Sequence, residues 1–135
     1  MALISIAMTV ISANAYGVDI TVNSLAASAA TPLSSAELTG IVVGNTLVHK
    51  SQSGQEVIIY YRNDGYRVFK MGARRFEGPY EIKDNRRCES STQGGLVCMA
   101  IYRAEGGQYI VCDPRDGGRC NWTMAVENGN SRDLQ

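Results

Sequence analysis

From Asn45 onward the chain breaks into apolar and aromatic runs of five to eight residues separated by Gly-containing turns, and this patterning restricts its fold more than any other feature. It is the signature of an antiparallel meander, with strands expected at 46–50, 56–62, 66–71, 79–83, 86–90, 96–103, 108–112 and 119–126. Ser53-Gly54, Asn63-Asp64-Gly65, Gly94-Gly95, Gly106-Gly107 and Gly117-Gly118 supply the residues that hairpin turns require. About eight short strands, with no helical interludes, predict an all-β domain: a small up-and-down barrel or a strongly curled sheet. Alternation puts Trp122, Met124 and Val126 on the buried face of the last strand and Thr123 and Glu127 opposite. Tyr66 and Val68 oppose Arg67 and Phe69 less distinctly, and residues 57–61, apolar throughout, mark a central strand or an interface.

One short helix is expected before the strands. Ser34 with Glu37 three residues later forms a capping box, the helix should end by Gly44, and Leu33, Leu38, Ile41 and Val42 give it an apolar stripe suited to plugging an open end or covering a sheet face. Residues 16–32, rich in Ser, Ala, Thr and Asn without a sustained period, read as a flexible leader to a single domain over 33–135. Residues 1–15 read as a signal peptide, almost wholly apolar to Val10 and followed by Ser12-Ala13-Asn14-Ala15 as a cleavage site. Such a leader opens with a basic residue, whereas none precedes Lys50, so the expected true start lies upstream of Met1 or the positive end has been lost. The apolar run is too short to serve as a membrane span, so none is expected after signal removal.

Four cysteines in an exported chain of this size point to disulfides and to a periplasmic or secreted location. Cys88, Cys98, Cys112 and Cys120 contain no C-x-x-C and have no nearby histidine, which excludes the usual tetrahedral zinc pattern, and no other metal or cofactor signature stands in the chain. The spacing leaves two pairings open: Cys88 with Cys98 and Cys112 with Cys120, or Cys98 with Cys112 and Cys88 with Cys120. Thirteen basic and thirteen acidic residues leave no net charge, which argues against nucleic acid as a partner.

Catalytic signatures are lacking. His49, the only histidine, lies in an alternating strand with no nucleophile motif beside it and reads as a surface residue. Glu77, Glu81 and Asp84 could approach one another as paired carboxylates, but such groups are ordinary at solvated strand ends. Asn121-Trp122-Thr123 matches a glycosylation pattern by chance. The most suggestive segment is Arg74-Arg75-Phe76-Glu77-Gly78, read as a loop, followed by Arg86-Arg87; eight basic and four acidic residues lie between Arg62 and Arg87. Arg74, Arg75, Phe76, Arg86 and Arg87 are the candidate binding surface for an acidic envelope protein, a lipid head group or an anionic glycan. The alternative is a solvated face of alternating charge.

Several landmarks together resemble a family of small exported alphaproteobacterial proteins of unknown function. They are the run Leu33 through Leu38, Gly44-Asn45-Thr46, Ile59-Tyr60-Tyr61 with Asp64-Gly65, Gly78-Pro79-Tyr80-Glu81-Ile82, Cys88 and Cys98, Tyr102-Arg103, Gly129-Asn130 and Leu134. The resemblance spans about the last hundred residues and implies export and a compact β fold, with no activity to transfer. Members usually carry an aromatic residue after the central glycine, where this chain has Pro79-Tyr80, and many have only the first cysteine pair. If Cys112 and Cys120 are an added pair, the resemblance implies bonding within each pair, Cys88 to Cys98 and Cys112 to Cys120.

The functional expectation is a non-enzymatic binding or accessory protein of the envelope. A carrier of a small apolar ligand in a barrel cavity, and a carboxylate-dependent hydrolase of envelope polymers, are the alternatives.

Overall fold

The computed structural model describes Thr21, residues 30–91 and residues 93–135. The expected signal segment and most of the leader lie outside the described residues. Eight antiparallel strands, each hydrogen-bonded to the next in sequence, close into a barrel when the last pairs with the first. They are β1 (Thr46–Ser51), β2 (Glu56–Tyr61), β3 (Tyr66–Met71), β4 (Arg74–Lys83), β5 (Arg86–Ser90), β6 (Leu96–Arg103), β7 (Tyr109–Asp113) and β8 (Arg119–Glu127). One helix, α1 (Ser35–Val42), precedes them.

The expected strands all form, and one reading needs correction. Arg74 through Gly78, read as a loop, is the first half of β4, because the chain reverses at Gly72-Ala73 and pairs Arg74 with Met71, Arg75 with Lys70 and Phe76 with Phe69. The β4–β5 turn, Asp84-Asn85, carries no glycine, yet both residues take positive φ (51° and 57°), a conformation that Asp and Asn tolerate better than other side chains.

Closure fixes which residues point inward. Leu47 pairs with Ile59, Ile59 with Phe69, and Phe69 with Phe76 around one side of the ring; Arg87 pairs with Met99, Ile101 with Val111, and Val111 with Trp122 around the other. Leu47, Val57, Ile59, Tyr61, Ile101 and Met124 form the buried core, with Trp122 and Val126 packed against it. The face assigned to Trp122, Met124 and Val126 is therefore the inner one. Residues 57–61 alternate, with Val57, Ile59 and Tyr61 buried and the two between them only partly so.

One end of the barrel is plugged by α1. Ser34 and Glu37 make the reciprocal capping box, and the helix drives Leu33, Leu38 and Val42 into the core. Asn85, at the β4–β5 turn, exchanges two hydrogen bonds with Ser35, and Glu37 pairs with Arg103 on β6. The chain terminus clasps the same end: Asn45 Oδ1 accepts from Gly129 N, Thr46 Oγ1 donates to Gly129 O, and the buried Leu134 is tied back to Asn130.

The disulfides pair Cys88 with Cys98 and Cys112 with Cys120. Both staple adjacent strands on the outer side of the wall, the second inside a small buried cluster with Tyr102, Ala104 and Ile110. Disulfides of this kind fit an oxidising compartment. Among the described residues, no helix is long and apolar enough to cross a membrane.

With 10 and 8 residues of sequence separation, each bridge closes a short loop. Replacing Cys112 and Cys120 together by Ala should lower the free energy of unfolding by about 2–3 kcal/mol in urea titration, with a similar loss for the Cys88 and Cys98 pair. A loss below about 0.5 kcal/mol for either pair would show that it adds nothing to stability.

Candidate functional site

An eight-stranded ring leaves an interior just wide enough to be filled by side chains or to hold one small ligand. At one end this interior is filled by α1 and the apolar core. Toward the other it is open, as a cavity of about 240 Å³. Val57, Ile59, Phe69, Val97, Met99 and Trp122 form its walls, and Gln55, Met71, Ser91, Asp113 and Arg115 its rim, from the turns opposite the helix.

Its deeper lining is charged. Strand parity turns His49, Tyr61, Arg67, Arg87 and Glu89 inward, and each is at least nine-tenths buried. The Glu89 carboxylate is the hub: Oε2 accepts from Tyr61 Oη at 2.8 Å and lies 3.4 Å from Arg67 Nε and 3.5 Å from Arg87 Nε. The two arginine contacts are within ion-pair distance but are not aligned as hydrogen bonds. The guanidiniums also use aromatic faces. Arg87 lies 5.3 Å from the Tyr61 ring centre, and Arg67 lies 5.6 Å and 5.8 Å from Phe69 and Phe76.

Arg87 Nη1 also meets His49 Nε2 at 3.0 Å. A guanidinium has only protons to offer, so His49 accepts at Nε2 and carries its own proton on Nδ1. Burial first, and the Arg87 charge second, hold the His49 pKa well below its usual value. Burial likewise pushes Tyr61 well above the ordinary phenol range. At neutral pH the buried lining therefore carries, among the described residues, two guanidinium charges and one carboxylate, an excess of one positive charge. Arg115 does not relieve it, since it is paired with Asp113 at the rim. Removing a charge from water without a counter-charge costs on the order of several kcal/mol. Consistent with this imbalance, Arg67 Nη1 and the Ser90 hydroxyl have no hydrogen-bond partner among the described residues.

The five residues expected to form one basic surface are dispersed. Arg74 and Arg75 are exposed on the β3–β4 hairpin at the open end, and Arg86 is exposed beside the β4–β5 turn at the plugged end. Phe76 faces inward against Arg67, and Arg87 is 1 % exposed inside the barrel. They do not converge on one exposed patch, because parity sends neighbouring residues to opposite faces and the meander sends successive turns to opposite ends. His49, read as a surface residue, is buried for the same reason. Arg67, Glu89 and Tyr61 were not singled out in the sequence. The signal available was phase: Arg67 lies in step with Phe69 and Met71, and Glu89 in step with Arg87.

Because His49 is the only histidine, its burial has a readable consequence. The unfolded chain takes up a proton near pH 6.5 and the folded chain does not, so unfolding binds protons and stability falls as pH drops below that value. Between pH 7.5 and 5.5, urea denaturation should show the wild type losing about 1 kcal/mol more than His49→Gln, which keeps an acceptor for Arg87. Equal losses in the two proteins would mean that His49 takes up its proton as readily in the fold as in the unfolded chain.

No family model matches the chain, and neither a curated protein nor a solved structure does.

Proposed function

We propose that the protein is an exported, periplasmic or secreted, non-enzymatic binding protein that holds a small ligand inside the barrel, admitted at the end opposite α1. The observation that carries this reading is the cavity: open at one end, sealed at the other, walled by apolar side chains, with unpartnered buried donors at depth. Export is supported by the two disulfides, by the apolar segment before Tyr16 and by the family resemblance.

The arrangement suits binding better than catalysis. The His49 nitrogen that would serve as a base is occupied by Arg87, and the other carries the proton. Glu77 and Glu81 alternate with the inward Phe76, Gly78 and Tyr80 and lie exposed on β4, away from the cavity lining. Asp113 does line it; although burial acts to raise its pKa, hydrogen bonds from the Arg115 side chain and backbone hold it below the ordinary value, the opposite of what a general acid needs. A purely apolar cargo fits less well, since about 240 Å³ is a small volume and its depth is charged.

Trp122 is the chain's single tryptophan and lies in the cavity wall, so its emission reports occupancy. Titrating the oxidised protein with hexanol, hexanoate and hexylamine should give a saturable one-to-one change in Trp122 emission with at least one probe. At ten times its Kd that probe should also raise stability by about 1.4 kcal/mol. No saturable response to any of the three would overturn the reading.

A further inference from the structure

Resting on the barrel-ligand reading, we infer that the ligand is a small organic monoanion, a carboxylate with a short apolar tail, seated with its charge on Arg67 and Ser90. The first ground is charge. Arg67 and Arg87 share the carboxylate of Glu89, the one buried carboxylate that lies between them among the described residues, and His49 is held neutral by accepting from Arg87. The lining thus lacks one negative charge, and one carboxylate would supply it.

The second ground is position. Arg67 is 5 % exposed and lines the cavity, where its Nη2 donates to the backbone carbonyl of Ser90. That contact seats Arg67 beside Ser90, and both Arg67 Nη1 and the Ser90 hydroxyl are buried and unpartnered among the described residues. Arg67 Nη1 can only donate and the Ser90 hydroxyl can donate as well, so a carboxylate can accept from both, whereas an ammonium group can accept nothing from Arg67. Gly78 makes room for the Ser90 hydroxyl itself: a Cβ there would stand 2.2 Å from Ser90 Oγ. Arg87 is not the receptor, because Nη1 is engaged by His49 and Met124 and Nη2 by Met99.

The third ground is size and polarity. About 240 Å³ is the space of about eight waters at roughly 30 Å³ each, enough for a carboxylate with a chain of a few carbons or one ring. From Arg67 toward the rim the walls are Phe69, Val97, Met99 and Trp122, which accept such a tail. Glu89 sets the valence: a phosphate monoester, with close to two negative charges, would leave an excess of negative charge beside it.

The test uses the oxidised protein and the Trp122 signal. Hexanoate should bind at least ten-fold more tightly than hexanol, while hexylamine gives no saturable response and hexyl phosphate binds more weakly than hexanoate. In Arg67→Met, which leaves Glu89 and Arg87 as a balanced pair, the preference for hexanoate over hexanol should fall to about one-fold. Retained barrel circular dichroism would show that this variant folds, and Ser90→Ala should weaken hexanoate several-fold without changing hexanol. If hexanol or hexylamine binds as tightly as hexanoate to the wild type, the anion inference fails and the barrel-ligand reading survives. If no probe binds, the barrel-ligand reading itself fails. Should Arg67→Met not fold, the wild-type order of the four probes still decides.

Discussion

The pairing of β1 with β8 is the constraint on which the rest of the structure depends. Once eight strands close, no sheet edge remains to be covered, and each residue is assigned to wall or lumen by parity alone. A single-residue slip in any strand would exchange its inner and outer sets. The same closure divides the two stabilising devices: apolar side chains and α1 act within the ring, and the disulfides act on its outer surface. Pairing within each hairpin follows, since Cys88 and Cys98 are directly opposed and Cys112 meets Cys120 across the register shift of β7 and β8.

Closure also explains how an uneven set of charges comes to be buried. Closure turns Arg67, Arg87 and Glu89 into the lumen, each nine-tenths or more buried, so they satisfy one another there and face the open cavity. Tyr61 and His49 complete part of this network, and the thioethers of Met99 and Met124 and the faces of Tyr61, Phe69 and Phe76 cushion the guanidiniums. An interior designed only for stability would use apolar residues of similar volume, which are often equal or better in that role. Among the described residues the lining keeps one guanidinium charge without a carboxylate of its own.

Several of the sequence landmarks meet at the plugged end. Gly44 and Asn45 meet Tyr61, Asn45 and Thr46 meet Gly129, and Gly65 accepts from Tyr80, whose ring stands edge-on to Tyr61 at 4.9 Å. With the capped helix and Leu134, these contacts seal one mouth of the barrel and leave the other as the route to the lumen.

Local physics made much of the architecture legible. Period-2 runs, glycine turns and the Ser34–Glu37 capping box depend on near neighbours, so strands, helix and the inward face of β8 could be read from the chain. Only the tertiary structure decided the site. Arg67 between Tyr66 and Val68, and Glu89 between Cys88 and Ser90, look like ordinary strand charges, and Arg74 to Arg87 looks like one basic stretch. Charge is read from sequence as proximity along the chain. In a closed meander, proximity is set by register around the ring, which brings β1, β2, β3 and β5 to one lumen and sends Arg75 and Arg86 to opposite ends.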